Sequence, residues 1–551
     1  MSSRRFDIAV VAGLCAVGVA LRVTGLTGQD LWFDDAWAAL PAHVSLGDAL
    51  HMVVTTPLYT LSLRQWIILG PHDTWFAQLP ALVLGVAGIA AVYALIVSLG
   101  FSRLAAFAAG AAVMAGPVTI EYSTRLKEYP SDLLCACLVL WLADRWRRDP
   151  STQRLVQLGV VAVACLWISA STAAVVGGAA AMVVAVAWGR RELRAPAAAL
   201  VGALALGSAG LWAVFLRHVP SQLRANWRTH GFLFGYSSGH HLAYTFQQTF
   251  SGLSHGLVGL PIPWTSSASA LRALPMALAI ATVIVLVAIV EPPIAEAVRA
   301  RGRRVGATFA AAASVTLAVL GTLSGLSPLG DGRTDEVLYP SLLVLVVSVA
   351  TWLTTRATAS SRMRGAARVA TACVVVAGAL LFGAAHVGEY PPTGLSEVLA
   401  GVSRQLLFKD VVVIDGYEAF TYADDSAAGL WRVSFAPTEV PWPMGFHVVS
   451  LDATYAISTN YLQSDPQIEG LFKRTHRVWY VGPTIGGYST AAPTSIWPAA
   501  YPSPTCIALS DLGFVGTDHF VTAPGVYAQL LVYHPARISP GGPQPVNLTC
   551  G

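Results

Sequence analysis

Charge is what this 551-residue sequence has least of: 12% of its side chains are Asp, Glu, Lys or Arg, where a water-soluble chain carries about 25%. With 55% hydrophobic residues and a mean hydropathy of +0.59, that scarcity excludes a globular protein free in water. Cysteine is sparse too. Of seven, Cys15, Cys135, Cys137, Cys165 and Cys373 lie in apolar segments and read as small packing residues. Cys506 and Cys550 lie in a polar tail and are either one disulfide or two free thiols. No pair has metal-site spacing. The first apolar run lacks a small-residue cleavage site and reads as a retained span. No internal repeat and no long low-complexity tract is present.

Long apolar runs are what the chain has instead. Stretches near 7–24, 77–99, 104–120, 129–145, 155–171, 173–189, 195–216, 272–290, 305–323, 338–355 and 367–386 match the roughly 17–25 residues that cross a bilayer as helix, so about eleven spans are expected. The arginines test this, because short cytoplasmic loops collect Lys and Arg. Arg4 and Arg5 are followed, in alternate loops, by Arg103, by Arg145, Arg147 and Arg148, by Arg190, Arg191 and Arg194, by Arg299 to Arg304, and by Arg356, Arg362 and Arg364. That pattern places the N-terminus in the cytoplasm of a multi-pass plasma-membrane protein and faces the loops 25–76 and 217–271, with the C-terminus, outward. The net charge of +4 follows from this topology and gives no sign of a nucleic-acid partner.

The expected organisation is a transmembrane domain over 1–386 and an extracytoplasmic α/β domain over 387–551. In the first outward loop, "PLYTLSLRQWIILG" at 57–70 is too short to span and carries Arg64, so it reads as an interfacial helix. Beyond Pro391 and Pro392, the runs "DVVVID" (410–415), "RVWYVG" (477–482) and "YAQLLVYH" (527–534) read as strands, with a helix over "SDPQIEGLFKRTH" before the second. Trp479 and Tyr480 read as core.

Three loops carry chemistry, and all are expected on the outer face. In "LWFDDAWAAL" (31–40), Asp34 and Asp35 stand among aromatics just past the first span, where a carboxylate is costly. They are either a helix N-cap or a general base whose proton affinity is raised by its neighbour. In "EYSTRLKEYPSD" (121–132), Glu121, Arg125, Lys127, Glu128 and Asp132 form either a self-paired turn or a cradle for a phosphate-bearing head group, Arg supplying a two-pronged fork. In "SPLGDGRTDEVLYP" (327–340), Arg333 sits among glycines that let backbone approach an anion, although Gly-Asp-Gly is also an ordinary turn. The adjacent His240 and His241 read as loop residues, with no ligand spacing linking them to His230 or His255.

These motifs, with "TTPLYTLSLRQW" (55–66) and "AQLPALVLGVAGI" (77–89), occur in the order found in the GT-C membrane glycosyltransferases of the protein O-mannosyltransferase and aminoarabinose-transferase type, which residues 7–385 resemble. The chain departs from that pattern at Asp35, where the family has Glu, at Thr56, where it often has Pro, and at Gln78, where it has Arg.

The resemblance implies a GT-C fold and transfer of a sugar, with inversion, from a polyprenyl-phosphate carrier to an acceptor hydroxyl on the outer face. It makes Asp34 the base, with Asp35 beside it, and Asp132 the second acid. Arg125, Lys127, Glu128 and Arg333, with Tyr59 and Arg64, become the substrate and phosphate contacts. The acceptor is a glycan, a lipoglycan or a protein. It fixes no cofactor, and a divalent metal is left open. An Ala/Val/Gly/Arg-rich composition suits a bacterium with GC-rich DNA, which makes mannose and arabinofuranose the first sugars to test. The rivals are a transporter or flippase of lipid-linked sugars, which would favour charges mid-span and a repeated architecture, and a non-catalytic glycan-binding receptor.

Overall fold

A computed structural model describes residues 3–26, 31, 35, 38–43, 45–51, 55–70, 74–219, 305–324, 326, 336–357, 395–407, 410–414, 431–435, 446–450, 455–457, 476–483, 514–523 and 526–533. The expected spans at 272–290 and 367–386, the helix before the second expected strand, and Cys373, Cys506 and Cys550 lie outside them. The chain divides into two compact units, Met1–Gly25 with Thr55–Tyr59 and Gln78–Val387, and Leu26–Val54 with Thr60–Ala77 and Gly388–Gly551.

The described helices are α1 (Ser3–Arg22), α2 (Leu46–His51), α3 (Pro57–Leu69), α4 (Thr74–Ser98), α5 (Arg103–Ala115), α6 (Pro117–Tyr122), α7 (Tyr129–Arg148), α8 (Thr152–Ile168), α9 (Ala173–Trp188), α10 (Arg194–Val214), α11 (Val305–Leu323), α12 (Tyr339–Ala357) and α13 (Leu395–Ser403). Among the described residues, three helical stretches, Thr74–Ser98, Ala170–Trp188 and Arg191–His218, are long and apolar enough to cross a membrane by length and composition. The protein is accordingly read as membrane-embedded.

Local chemistry explains several helix ends. Helix α4 stops at a glycine cap: Gly100 has φ +81°, its N–H reaches the Val97 carbonyl at 3.0 Å, and the Phe101 N–H reaches the Ile96 carbonyl at 3.3 Å. That is a Schellman turn, which only glycine enters without strain. Ser102 then caps α5, its hydroxyl accepting from the Ala105 N–H at 3.2 Å. The basic end of α7 is held by Asp144, which takes the Arg147 guanidinium at 3.0 Å and also pairs with Arg148.

The run expected as one span over 104–120 is broken. Gly116 adopts extended backbone, φ −64° and ψ 126°, as the residue before a proline prefers. Pro117 then restarts the chain as the short α6. Lacking an N–H, Pro117 cannot donate to the Val113 carbonyl four residues back, and the break leaves the last carbonyls of α5 without helical partners.

Within the first unit, α7 packs against α8 and α9 and contacts the turn at 336–338, while α9 lies along α11 and α1 along α5. Small residues permit these approaches. A Cβ on Gly178 of α9 would stand 2.5 Å from the Ala310 carbonyl of α11, and one on Gly18 of α1 would stand 2.5 Å from Ile89 Cδ1. The continuous apolar core runs through α4, α5, α7, α8, α9, α11 and α12, with Ile89, Ile96, Leu99, Trp146 and Tyr339 fully enclosed.

In the second unit the strands are β1 (Val411–Ile414), β2 (Trp431–Phe435), β3 (Phe446–Ser450), β4 (Tyr455–Ile457), β5 (Arg477–Pro483), β6 (Phe514–Ala523) and β7 (Val526–Tyr533). One sheet has the order β1-β5-β7-β6, with β1 and β5 parallel and the other neighbours antiparallel; a second is the antiparallel β2-β3-β4. The three expected strands are present, and β6 with the second sheet is additional. Trp479 and Tyr480 point to opposite faces of β5 by strand alternation, yet both are buried. They are core, so both faces of the sheet are covered at β5. Near the α3–α4 turn, Trp66 stacks on Phe76 at 4.6 Å and donates its indole N–H to the Phe76 carbonyl at 2.8 Å. Pro80, four residues on, has no N–H with which to serve that carbonyl.

Candidate active site in the first unit

The 119–132 segment leaves the short α6, passes through tight turns over 123–128 and enters α7. The Thr124 N–H reaches the Glu121 carbonyl at 3.1 Å and the Arg125 N–H reaches the Tyr122 carbonyl at 3.2 Å. The Ser131 and Asp132 N–H groups both reach the Glu128 carbonyl, at 2.8 and 3.1 Å. Pro130 in the first turn of α7 suits a position whose N–H has no helical partner. Asp132 follows in the same turn, where the helix dipole favours a carboxylate.

The candidate residues fall as follows. Lys127 is buried, and its carbonyl accepts the Tyr59 hydroxyl at 2.8 Å. One hydrogen bond thus joins two of the expected contacts and ties the start of α3 to the turn. Arg125 and Glu128 are half-buried on the same turn. Asp132 is fully buried; its Oδ2 accepts the Ser171 hydroxyl at 2.6 Å, and Ser171 in turn meets Ser169 Oγ at 2.7 Å. Asp132 Oδ1 has no hydrogen-bond partner among the described residues. In the second unit, Asp35 is fully buried, and the Arg64 guanidinium donates to the Pro41 carbonyl, a contact within its own unit. Asp34, Arg333, His230, His240, His241 and His255 lie outside the described residues. Among the described residues no group of three His, Cys, Asp or Glu is placed to hold a metal.

Two charged residues of this region, Arg22 and the Glu336 of the 327–340 motif, were not among the expected site residues. Arg22, at the last position of α1, is 1% exposed. Its Nε donates to Ser123 Oγ at 2.9 Å, Nη1 to the Gly18 and Met114 carbonyls at 3.0 and 2.8 Å, and Nη2 to the Val113 carbonyl and Thr119 Oγ1 at 3.1 and 3.4 Å. Five N–H donors meet five neutral acceptors. Glu336, just before α12, is also buried, and its Oε2 has no partner among the described residues. Burial pushes the Glu336 carboxyl well above the usual carboxylate range; Asp132 pushes the same way, Arg22 pulls against both, and Glu121 adds a smaller push upward. Arg22, Glu121, Asp132 and Glu336 therefore share one electrostatic neighbourhood. The signal for Arg22 was available, since an arginine at the end of a span asks for a partner, but the acid pair twelve residues on is the louder feature. For Glu336 only packing shows burial.

No protein-family model matches the chain, and no curated protein matches it. Solved structures do. The apo oligosaccharyltransferase of Archaeoglobus fulgidus aligns with a TM-score of 0.45 and 12% identity over 96% of this chain and 74% of its own. ArnT from Cupriavidus metallidurans bound to undecaprenyl phosphate aligns with a TM-score of 0.46 and 13% identity, over 98% of this chain and all of its own.

Proposed function

We propose that the protein is an integral-membrane glycosyltransferase that moves a sugar from a polyprenyl-phosphate carrier to an acceptor hydroxyl at the outer surface of the membrane. The observation that carries this reading is the built turn at 119–132. Its two cations, Arg125 and Lys127, stand on a backbone pinned by Tyr59 and Arg22, directly before a helix start that presents Asp132. Cations held on a fixed backbone meet the need of a departing phosphate, whose charge grows as the glycosidic bond breaks. The resemblance of the loop motifs supplies the rest of the machinery.

In that mechanism Asp34 accepts the acceptor's hydroxyl proton as its oxygen attacks the anomeric carbon, and Asp35 tunes that base. The bond to the carrier oxygen breaks as the new one forms, inverting the anomeric centre. Lys127, Arg125 and Arg333 balance the phosphate left on the carrier. Mannose and arabinofuranose are the leading sugars, and a glycan, lipoglycan or protein is the acceptor. The N-terminus is assigned to the cytoplasm and residues 387–551 to the outside.

The test uses purified protein with polyprenyl-phosphate sugars, following release of carrier phosphate. Asp34→Asn should lose roughly 10²–10⁴-fold in rate, the usual contribution of a general base. Transport of the lipid with no sugar transfer would instead establish a flippase, and binding alone a receptor.

A further inference from the structure

Arg22 is a buried cation outside the proposed mechanism, and its guanidinium makes five hydrogen bonds to separate parts of the first unit. Taking an arginine out of water is costly unless its charge and all its donors are answered. Here all five N–H groups are taken by neutral oxygens, and among the described residues no carboxylate lies within ion-pair distance. Such a group is placed for its hydrogen bonds, and the identity of the acceptors shows what they do.

Two of the acceptors, the Val113 and Met114 carbonyls, are the ones stranded where α5 ends before Pro117. A third, Ser123, passes the contact onward, its own hydroxyl donating to the Thr119 carbonyl. A fourth, Thr119, also donates to the Gly116 carbonyl at 2.8 Å. A single guanidinium therefore joins the end of α1, the end of α5, the proline break and the first residues of the 119–128 turn. The space for this is kept by a glycine: a Cβ on Gly85 of α4 would come within 2.8 Å of Ser123 Cβ and closer still to its hydroxyl.

We propose that Arg22 is a positioning residue that fixes the 119–128 turn, and through it the side chains of Arg125 and Lys127. The role of those two cations toward a carrier phosphate rests on the glycosyltransferase reading; the fixing of the turn does not. Lysine, with three donors on a flexible stem, cannot serve five acceptors arranged around a planar fork.

The experiment reads the two statements separately, in full-length protein in lipid nanodiscs. Hydrogen–deuterium exchange over 119–128 reports the turn, and binding of undecaprenyl phosphate alone reports its use. Arg22→Gln, Ser123→Ala and Gly85→Ala are compared with Gly178→Ala, which strains the α9–α11 contact instead. Losing one hydrogen bond to a charged group corresponds to roughly tenfold. Exchange over 119–128 should accordingly rise about tenfold in Ser123→Ala and Gly85→Ala, and more in Arg22→Gln, with Arg22→Lys between wild type and Arg22→Gln. Undecaprenyl phosphate affinity should fall in the same order, while Gly178→Ala lowers the melting temperature and leaves both readouts unchanged. Unchanged exchange in Ser123→Ala and Gly85→Ala, or an equal rise in Gly178→Ala, would overturn the proposal. If exchange rises as expected while wild type binds no undecaprenyl phosphate, the positioning role stands and the carrier reading falls.

Discussion

Replacing Arg22 by methionine keeps the length and apolar stem of the side chain and removes five N–H donors with their charge. The Gly18 carbonyl lies inside α1 and keeps its helical partner, and the Thr119 and Ser123 hydroxyls also have partners in nearby carbonyls. The loss falls on the Met114 carbonyl, accepting at 2.8 Å, and the Val113 carbonyl, accepting at 3.1 Å. A buried acceptor left unpaired costs about 1–3 kcal/mol, so the two give about 2–6 kcal/mol. The upper part of that range is cut in two ways: the Val113 carbonyl shares the one Thr119 hydroxyl proton, at 2.5 Å, with the Gly116 carbonyl, and the variant no longer buries a cation. We therefore expect Arg22→Met to lower unfolding free energy by about 3 kcal/mol, measured by reversible denaturant titration in mixed micelles. A change within about 0.5 kcal/mol, the scatter of surface substitutions, would refute the claim that the guanidinium serves the broken helix end.

Other expectations follow from single contacts. Glu336, raised by burial above its ordinary 4.5, keeps its proton in the folded chain over pH values where the unfolded chain has released it. Stability should thus be greatest at the acid end and decline as pH rises from 4.5 toward the raised value. Glu336→Gln should flatten that decline in melting curves taken across pH, and parallel slopes in the two proteins would show that another group titrates. Ser171→Ala removes the donor to Asp132 Oδ2 and should cost about 1–3 kcal/mol, whereas an unchanged melting point would mean that a different donor serves that carboxylate. Tyr59→Phe frees the Lys127 carbonyl and should weaken donor affinity with kcat little altered; a fall in kcat alone would count against a binding role. Gly100→Ala forces a side chain onto φ +81° and should cost roughly 1–2 kcal/mol, read from the same melts.

Much of the helical layout was legible because a span has to satisfy its own backbone in lipid, which leaves a long apolar run as its mark. The runs at 7–24, 77–99, 129–145, 173–189, 195–216 and 305–323 correspond to α1, α4, α7, α9, α10 and α11. The run at 104–120 misled, since hydropathy passes over Gly116-Pro117 without registering that proline withholds a donor and bends its predecessor into extended backbone. In the second unit, β1, β5 and β7 stood out as β-branched runs, while β6, "FVGTDHFVTA", hides behind polar residues and a break in register between Gly516 and Phe520.

Motif and charge alone marked 121–132 as chemical, because five ionisable residues in twelve positions are conspicuous in a chain so poor in charge. Sequence by itself also determined that the protein lives in a membrane, since no fold could hide so much apolar surface from water. What only the tertiary structure decided is which oxygen each buried charge meets. The Tyr59 bond to Lys127 spans 68 positions in the chain and the Arg22 bond to Ser123 spans 101. Hydrogen bonds act over about 3 Å of space regardless of separation along the chain, and no local pattern records which distant carbonyl a helix break will strand.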